Sequence, residues 1–444
     1  MRQMSLVGFL QAQNCTTIPA SWRHPEARTD SMSPDYYRHI GHVLERGKFD
    51  LGFFDDRLAM PDMYRGDHGH TVEHGIRCVK MDPVTVLMTM GMATKHLGLG
   101  ATCSTTYFEP FDVARTFATV DLMTEGRAAW NVVTSVNDNE ARNMGSEHHM
   151  AHDERYDQAD EFMEVVLGHW DSWDDDAVLV DRKNGVFADP TKVRRLDHDG
   201  EHYRSRGPFT VPRSPQGHPV VIQAGSSPRG LAFGARWGEL IFAAYGTIEN
   251  AKVEYAAMKE AATSYGRDPD QMKIASLTFP VVAATRSEAV EKKAAYDELP
   301  NEIDQLPLLS EALNFDFASK GMDEAFSDED LEGLQGMQAL RDGVVRRSGI
   351  KNPTVRDFIR VSGRGRLGDG WVGSATEIAD QLEAWFTEPA CDGFVVGPTH
   401  IPGAFEDFVD LVVPELQRRG LYREEYTGTT LRDHLGLRMP SLRG

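Results

Sequence analysis

Short apolar segments alternate with amphipathic segments along most of this chain, and that alternation is the strongest constraint on its fold. The apolar runs predict β-strands, and the segments with a 3.6-residue period predict helices between them. Strands that are apolar throughout and alternate with helices are typical of a parallel sheet covered on both faces. Because about eight strands are present, the pattern favours a closed (β/α)₈ TIM barrel over an open doubly wound sheet.

The predicted strands span residues 4–10, 49–54, 97–104, 128–134, 220–224, 240–244, 273–283 and 393–396. The predicted helices span 34–46, 83–95, 113–123, 153–170, 228–237, 251–265, a segment from 287, 374–386 and 404–419. The helix at 374 begins with a capping box formed by Ser374 and Glu377.

The length of 444 residues is compatible with one domain, because α/β barrels with insertions reach more than about 400 residues. We therefore expect a single barrel domain over residues 1–444, with insertions near 57–81, 171–218 and 295–370.

The formal net charge of −21 argues against nucleic-acid and anionic-membrane partners, which an acidic chain repels. The four cysteines form no CxxC pair, which favours a reducing compartment, and no run approaches the roughly 18 apolar residues of a membrane span. We expect a cytoplasmic protein without a membrane partner.

Several polar residues fall where the strands of a barrel end, which is where barrels place their active sites. Asp56 follows the second strand, Thr102 lies near the end of the third, and Asn131 lies in the fourth. His152 and Tyr156 are four residues apart at the start of a helix and can face one pocket. Each also has a structural interpretation, since Asp after a strand often caps a turn and Thr is a common strand former.

The turn after the fifth strand reads Gly225-Ser226-Ser227-Pro228. A serine cap followed by proline starts a helix well, so an ordinary capped helix is one interpretation. The exposed amides of that helix N-terminus and the two hydroxyls also suit a phosphate, and loops after the later barrel strands often hold one.

Two histidine groups raise the alternative of a metal-dependent barrel hydrolase: His68, His70 and His74, and His148, His149 and His152. The first group lies in a loop rich in Gly and Asp, where solvated histidines are the default, and we assign no metal ligand. Gly363-x-Gly365-x-x-Gly368 matches a dinucleotide fingerprint by letters only, because no strand precedes it and no helix opens at it.

Ordered sequence blocks across almost the whole chain carry a family resemblance. They are 22–25 (WRHP), 44–50 (LERGKFD), 94–99 (TKHLGL), 130–135 (WNVVTS), 152–156 (HDERY), 223–227 (QAGSS) and 413–420 (VPELQRRG). With these blocks the chain resembles the bacterial-luciferase-like flavin monooxygenases, in the branch of the nitrilotriacetate, dibenzothiophene-sulfone and long-chain alkane monooxygenases.

The resemblance implies the oxygenase component of a two-component system. Such enzymes use reduced FMN (FMNH₂), supplied by a separate NAD(P)H-dependent flavin reductase, and O₂ to insert one oxygen atom into a small organic substrate. The family's FMN contacts fall on Asp56, Thr102, His152, Tyr156 and Ser227, with Ser226 adjacent. A homodimer or homotetramer is expected on the same grounds, and because the polar tail 426–444 is not expected to fold alone.

The sequence departs from the sulfone and alkane enzymes after the first strand. Those enzymes have a histidine there, and residues 14–21 of this chain contain none. We therefore assign no catalytic acid or base, and a non-catalytic flavin-binding protein stays open as a further alternative.

Basic residues cluster between 341 and 366: Arg341, Arg346, Arg347, Lys351, Arg356, Arg360, Arg364 and Arg366. Only Asp342 and Asp357 oppose them within this segment. The cluster could recognise an anionic substrate or draw in FMNH₂, because Arg binds carboxylate and phosphate in a bidentate manner. The other interpretation is a solvated or interface surface that pairs with the abundant carboxylates.

Overall fold

A closed barrel of eight parallel strands forms the centre of the computed structural model, which describes residues 2–334, 336–363, 365, 367–368 and 370–442. The barrel strands are β1 (Ser5–Gln11), β2 (Leu51–Asp55), β3 (Gly98–Ser104), β4 (Ala128–Val133), β5 (Val220–Gln223), β6 (Leu240–Ala243), β7 (Lys273–Thr278) and β8 (Gly393–Val396). Each strand pairs with the next along the chain, and β8 closes the barrel against β1. The predicted TIM barrel is confirmed.

Helices follow the barrel strands and cover the outside of the barrel. They are α1 (Pro34–Arg46), α2 (Pro83–Gly91), α3 (Pro110–Met123), α4 (His152–Trp170), α5 (Pro228–Trp237), α6 (Ile248–Ser264), α7 (Ala375–Thr387) and α8 (Val413–Arg418). The helices outside this set are Gly69–Glu73, Asp138–Asn143, Arg286–Asp297, Leu306–Leu313, Asp328–Gly333, Gln338–Ser348, Val355–Val361, Gly403–Asp407 and Leu431–Leu435. None of the helices in the described part is both long and apolar enough to cross a bilayer.

The local signals explain the helix starts. Ser33 and Ser227 cap α1 and α5, and in each case proline occupies the first turn, where its missing N–H costs nothing. The capping box of Ser374 with Glu377 at the start of α7 is also present. The bounds of α1 and α5 agree with the sequence prediction to the residue.

Three predicted elements are wrong in part. The segment 273–283 is two strands, because Pro280 lacks the N–H that a central strand needs. Val281–Ala283 leaves the barrel and pairs with Val372–Ser374. The helix predicted at 83–95 ends at Gly91, and the helix predicted at 404–419 is interrupted by a π-helical turn at Phe408–Val412.

The barrel interior is a packed apolar core. It contains Val7, Leu51, Phe53, Ala129, Val220, Ile222, Leu240, Ala275 and Val395. A larger apolar cluster lies between the outer barrel face and the helices. Burial on both faces explains why the strands are apolar throughout rather than alternating.

The C-terminal tail closes the N-terminal end of the barrel. Leu431 and Leu435 belong to the barrel core, and the Leu431 amide donates to Gly126 O at 2.9 Å. Arg432 makes a two-pronged ion pair with Glu239, at 2.7 and 2.9 Å. The tail packs against the barrel of its own chain, whose core its few leucines enter, so the described residues are ordered without a partner subunit.

The insertion near 295–370 has a small core of its own. Leu309, Phe317, Phe326 and Phe358 are buried together, and Tyr64 from the insertion near 57–81 joins them. The insertion near 171–218 contains two short hairpins, Val178–Asp181 with Val186–Ala188 and His198–Asp199 with Arg204–Ser205.

Candidate functional site

Ser227, His152 and Tyr156 meet at the N-terminus of α5, on the C-terminal side of β5. Ser227 Oγ accepts from the Gly230 amide at 3.1 Å, and the same hydroxyl lies 3.1 Å from His152 Nε2. The other ring nitrogen of His152 lies 2.7 Å from an Asp153 carboxylate oxygen. In the neutral ring Nδ1 therefore donates to Asp153 and Nε2 accepts from Ser227. Ser226 is exposed beside this group.

The hydroxyl of Tyr156 fits against two glycines of the same turn. A Cβ at Gly225 would lie 2.9 Å from the Tyr156 hydroxyl, and one at Gly230 would lie 2.7 Å from it. Burial raises the pKa of Tyr156 above 10.0, and hydrogen bonds to Thr134 and Ser227 oppose that rise. The glycines therefore let a phenol approach the backbone of a helix N-terminus, which is a cradle suited to an anion.

Thr102 and Asn131 form a buried polar pair on neighbouring strands. They are register partners between β3 and β4, and Asn131 is the register partner of Ile222 on β5. Thr102 Oγ1 donates to Phe54 O at 2.9 Å and accepts from Asn131 Nδ2 at 2.9 Å. The remaining amide oxygen of Asn131 is buried without a hydrogen-bond partner among the described residues. An orphaned buried acceptor marks a place that a ligand can complete.

Asp56 lies beside a small charged cavity at the ends of β1 and β2. The cavity is lined by Gln11, Ala12, Gln13, Asp55, Asp56, Arg57, Arg77 and Lys80. Burial raises the pKa of Asp56 from 3.8 to about 7, although the Arg57 amide and Lys80 act against the rise. Burial also lowers the pKa of Lys80. Asp56 is therefore placed to change charge near neutral pH.

The second histidine group does not converge on a common point. His148 contacts Asp138 at 3.4 Å, His149 bonds to the Tyr107 hydroxyl at 2.6 Å, and His152 faces Ser227. In the first group His68 is exposed but His70 is buried, so the expectation of solvated histidines is wrong for His70.

Most of the described cations between 341 and 366 have carboxylate partners. Arg341 pairs with Asp342 at 2.8 Å, Lys351 with Asp328 at 2.8 Å, Arg356 with Asp323 at 2.8 Å and with Glu302, and Arg360 with Asp357 at 3.1 Å. Arg364 and Arg366 lie outside the described residues. These pairs favour the interpretation of a solvated surface over an anion-recognition site.

Gly363 and Gly365 lie in a loop, as expected for a chance fingerprint.

A model of the family described as luciferase-like monooxygenase matches residues 18–392. The chain belongs to the luciferase-like monooxygenase family.

Relatives in this family cover the whole chain. The dibenzothiophene-sulfone monooxygenase of Rhodococcus erythropolis is 43% identical over 455 residues, covering 100% of this chain and 98% of the relative. Nitrilotriacetate monooxygenase component A of Aminobacter aminovorans is 40% identical over 451 residues, covering 99% of this chain and 97% of the relative. A crystal structure of riboflavin lyase with modified FMN and riboflavin has a TM-score of 0.90 at 32% identity, covering 99% of this chain and 97% of the other.

The predicted resemblance is confirmed, and with it the prediction of an oxygen-using oxidoreductase. These relatives are monooxygenases. They therefore support neither of the two alternatives, a metal-dependent hydrolase and a non-catalytic flavin-binding protein.

The sequence analysis missed a half-buried apolar group in this luciferase-like monooxygenase. Phe9, Phe242 and Leu277 pack against the barrel core from β1, β6 and β7 without being fully buried. Phe53 contacts both rings, with centroids 5.7 Å from Phe9 and 4.7 Å from Phe242. Inward-facing positions near the strand ends could have been identified from the two-residue period of each strand.

Proposed function

We propose that this chain is the oxygenase component of a two-component monooxygenase that takes FMNH₂ from a separate NAD(P)H-dependent flavin reductase. The observation that carries the proposal is the meeting of His152, Tyr156 and Ser227 at the N-terminus of α5, on the barrel side where ligands bind. The family supports it, and so does the similarity to the structure of riboflavin lyase with modified FMN.

The residues fit FMN at both ends of the cofactor. The α5 amides, the hydroxyls of Ser226 and Ser227, and the ring of His152 would hold the phosphate. Thr102, Asn131 and Asp56 would face the ring end, where the orphaned Asn131 oxygen offers an acceptor. Reduced flavin, when bound, supplies the two electrons that let one atom of O₂ enter the substrate while the other leaves as water.

The protein's own contribution is position and exclusion of water. Phe9, Phe242 and Leu277 offer a half-buried apolar surface at the barrel end. The insertions after β2 and β7 contact the loop after β4, where the Leu58 amide donates to Glu140 Oε1 and Asn137 Nδ2 donates to Glu311 Oε1. A dry site suppresses the proton leakage that releases peroxide. The cavity beside Asp56, lined by Arg57, Arg77 and Lys80, has a volume of about 10 Å³, which is room for a single water molecule and not for a substrate.

We further propose a single-domain chain that forms a homodimer or homotetramer in the cytoplasm. The four thiols are free, which suits a reducing compartment. Sedimentation at micromolar concentration tests the assembly, and a monomer there contradicts it.

The decisive experiment combines the purified chain with a generic flavin reductase, NAD(P)H and FMN. We expect anaerobic titration to show tight binding of FMNH₂, and O₂ consumption to depend on the reductase. Products from a substrate panel, including aromatic sulfones and aminopolycarboxylates as the relatives' names suggest, are read by mass spectrometry. Absence of FMNH₂ binding, or peroxide as the sole product across the panel, contradicts the proposal.

A further inference from the structure

His70, His74 and Asp304 come together where two insertions meet, far from one another in sequence. His70 Nε2 lies 3.7 Å from Asp304 Oδ1, and His74 Nδ1 lies 3.9 Å from the same oxygen. The three ligand atoms all lie within 4.8 Å of one another. Two imidazole nitrogens and one carboxylate oxygen form a donor set that first-row divalent metal ions prefer.

Two atoms of this group lack the hydrogen bonds that burial demands. His70 and Asp304 have side chains only 6% and 4% exposed. His70 Nε2 and Asp304 Oδ1 are both buried without a hydrogen-bond partner among the described residues. A distance of 3.7 Å is too long for a hydrogen bond between them. Burying a polar atom without a hydrogen-bond partner costs folding free energy, so we expect a bound group to contact both atoms.

The remaining geometry orients the ligands. One helical turn places the two histidines on the same side, since the His74 amide donates to His70 O at 3.1 Å. Asp304 Oδ2 accepts from the Asn301 amide at 2.8 Å, which leaves Oδ1 toward the histidines.

The separations between the ligand atoms also suit a bound metal ion. Tetrahedral bonds of about 2.0–2.2 Å place ligand atoms roughly 3.3–3.5 Å apart, so the histidine nitrogens at 3.7 and 3.9 Å from Asp304 Oδ1 need to approach that oxygen by only a few tenths of an ångström.

We propose that His70, His74 and Asp304 bind one divalent transition-metal ion of the zinc type. The ion would tie the insertion after β2 to the insertion after β7, beside the Tyr64 side chain that already packs into the core of the second insertion. His74 is 30% exposed, so solvent can supply the fourth ligand. None of the three ligands is among the proposed flavin contacts, so this proposal does not depend on the proposed function.

The test uses the untagged full-length chain, stripped with a chelator and titrated with Zn²⁺ by calorimetry. We expect one Zn²⁺ per chain and a higher Tm in its presence. Co²⁺ in place of Zn²⁺ is expected to give the visible absorption of a tetrahedral site. His70→Gln and His74→Gln should each weaken Zn²⁺ binding by more than the roughly 10–100-fold that loss of an outer-shell partner costs.

His68→Gln is the matched control, because His68 is an exposed histidine two residues from His70. It should bind Zn²⁺ as the wild type does. Glu26→Gln tests the other candidate group, His24, Glu26 and His400. Failure of the wild type to bind Zn²⁺ overturns the proposal, and so does binding that survives in His74→Gln but is lost in Glu26→Gln. FMNH₂ titration of His74→Gln, expected to be unchanged, keeps this result distinct from the proposed function.

Discussion

Ser227 combines two tasks at one hydroxyl, because it caps α5 and lies against His152. We expect Ser227→Ala to weaken FMNH₂ binding by roughly ten- to a hundredfold, since hydrogen bonds to a charged group contribute about 1.5–3 kcal/mol. It should also lower the free energy of unfolding by about 1 kcal/mol through loss of the cap.

Ser33→Ala separates these effects, because Ser33 caps α1 in the same way and also precedes a proline. The control should lose similar stability and keep its flavin affinity. Unchanged FMNH₂ affinity in folded Ser227→Ala would remove this side chain from the site.

Asp56 gives a prediction with a definite pH sign. Its pKa in the folded chain, about 7, lies above the ordinary value of 3.8, so the unfolded state ionises first. The group's contribution to stability is therefore complete below pH 3.8 and decreases as the pH rises to about 7, by at most roughly 1.4 kcal/mol per pH unit.

We expect Asp56→Asn to flatten this pH dependence. The free energy of unfolding of the variant minus that of the wild type should therefore be larger at pH 8 than at pH 5. Urea unfolding at the two pH values measures the difference. Parallel stability curves for the two proteins would mean that Asp56 ionises normally.

At the scale of elements, α4 and α5 approach closely because glycine occupies the contact. Ala at position 230 would favour a helix by up to about 1 kcal/mol, but its Cβ would meet the Tyr156 hydroxyl at 2.7 Å. We expect the clash to dominate, so that Gly230→Ala destabilises the chain by about 1–3 kcal/mol.

Tyr156→Phe removes the hydroxyl and should recover part of this loss, because the added Cβ would still lie 3.1 Å from Gly225 Cα and 3.1 Å from Ser227 Oγ. A double-mutant cycle in urea measures the coupling, expected to be at least about 1 kcal/mol. Additive effects in the cycle would show that the hydroxyl does not limit the approach of α5.

At the scale of the whole molecule, the C-terminal tail packs against the N-terminal end of the barrel, opposite the candidate flavin site. Arg432 is 3% exposed, and the ion pair with Arg432 lowers the pKa of Glu239 although burial alone would raise it. Arg432→Ala leaves Glu239 largely buried without its partner, and we expect a loss of about 3–5 kcal/mol in urea unfolding.

Arg438→Ala is the control from the same tail, because Arg438 is 76% exposed and its pair with Asp268 should contribute no more than about 1 kcal/mol. Equal effects of the two substitutions would contradict a structural role for the tail. The pair of Glu239 with Arg432 adds a pH dependence, with its stabilisation present above pH 4.5 and lost as the pH falls below it.

The sequence by itself determined the features whose signals are local. Strand alternation and the serine caps before Pro34 and Pro228 predicted the barrel and its helices, because periodicity and capping act within a few residues. The family was predicted from the resemblance that the ordered sequence blocks carry. The sequence also singled out His152, Tyr156 and Ser227, which the fold brings together.

Only the tertiary structure decided what depends on distant parts of the chain. The pairing of Thr102 with Asn131, the meeting of His70 with Asp304, and the entry of Leu431 into the barrel core have no local signature. The polar tail was not expected to fold alone, and its leucines are too few to form a core of their own. They need only to enter one that eight strands have already built, and burial depends on the whole surface that surrounds a side chain rather than on its neighbours in sequence.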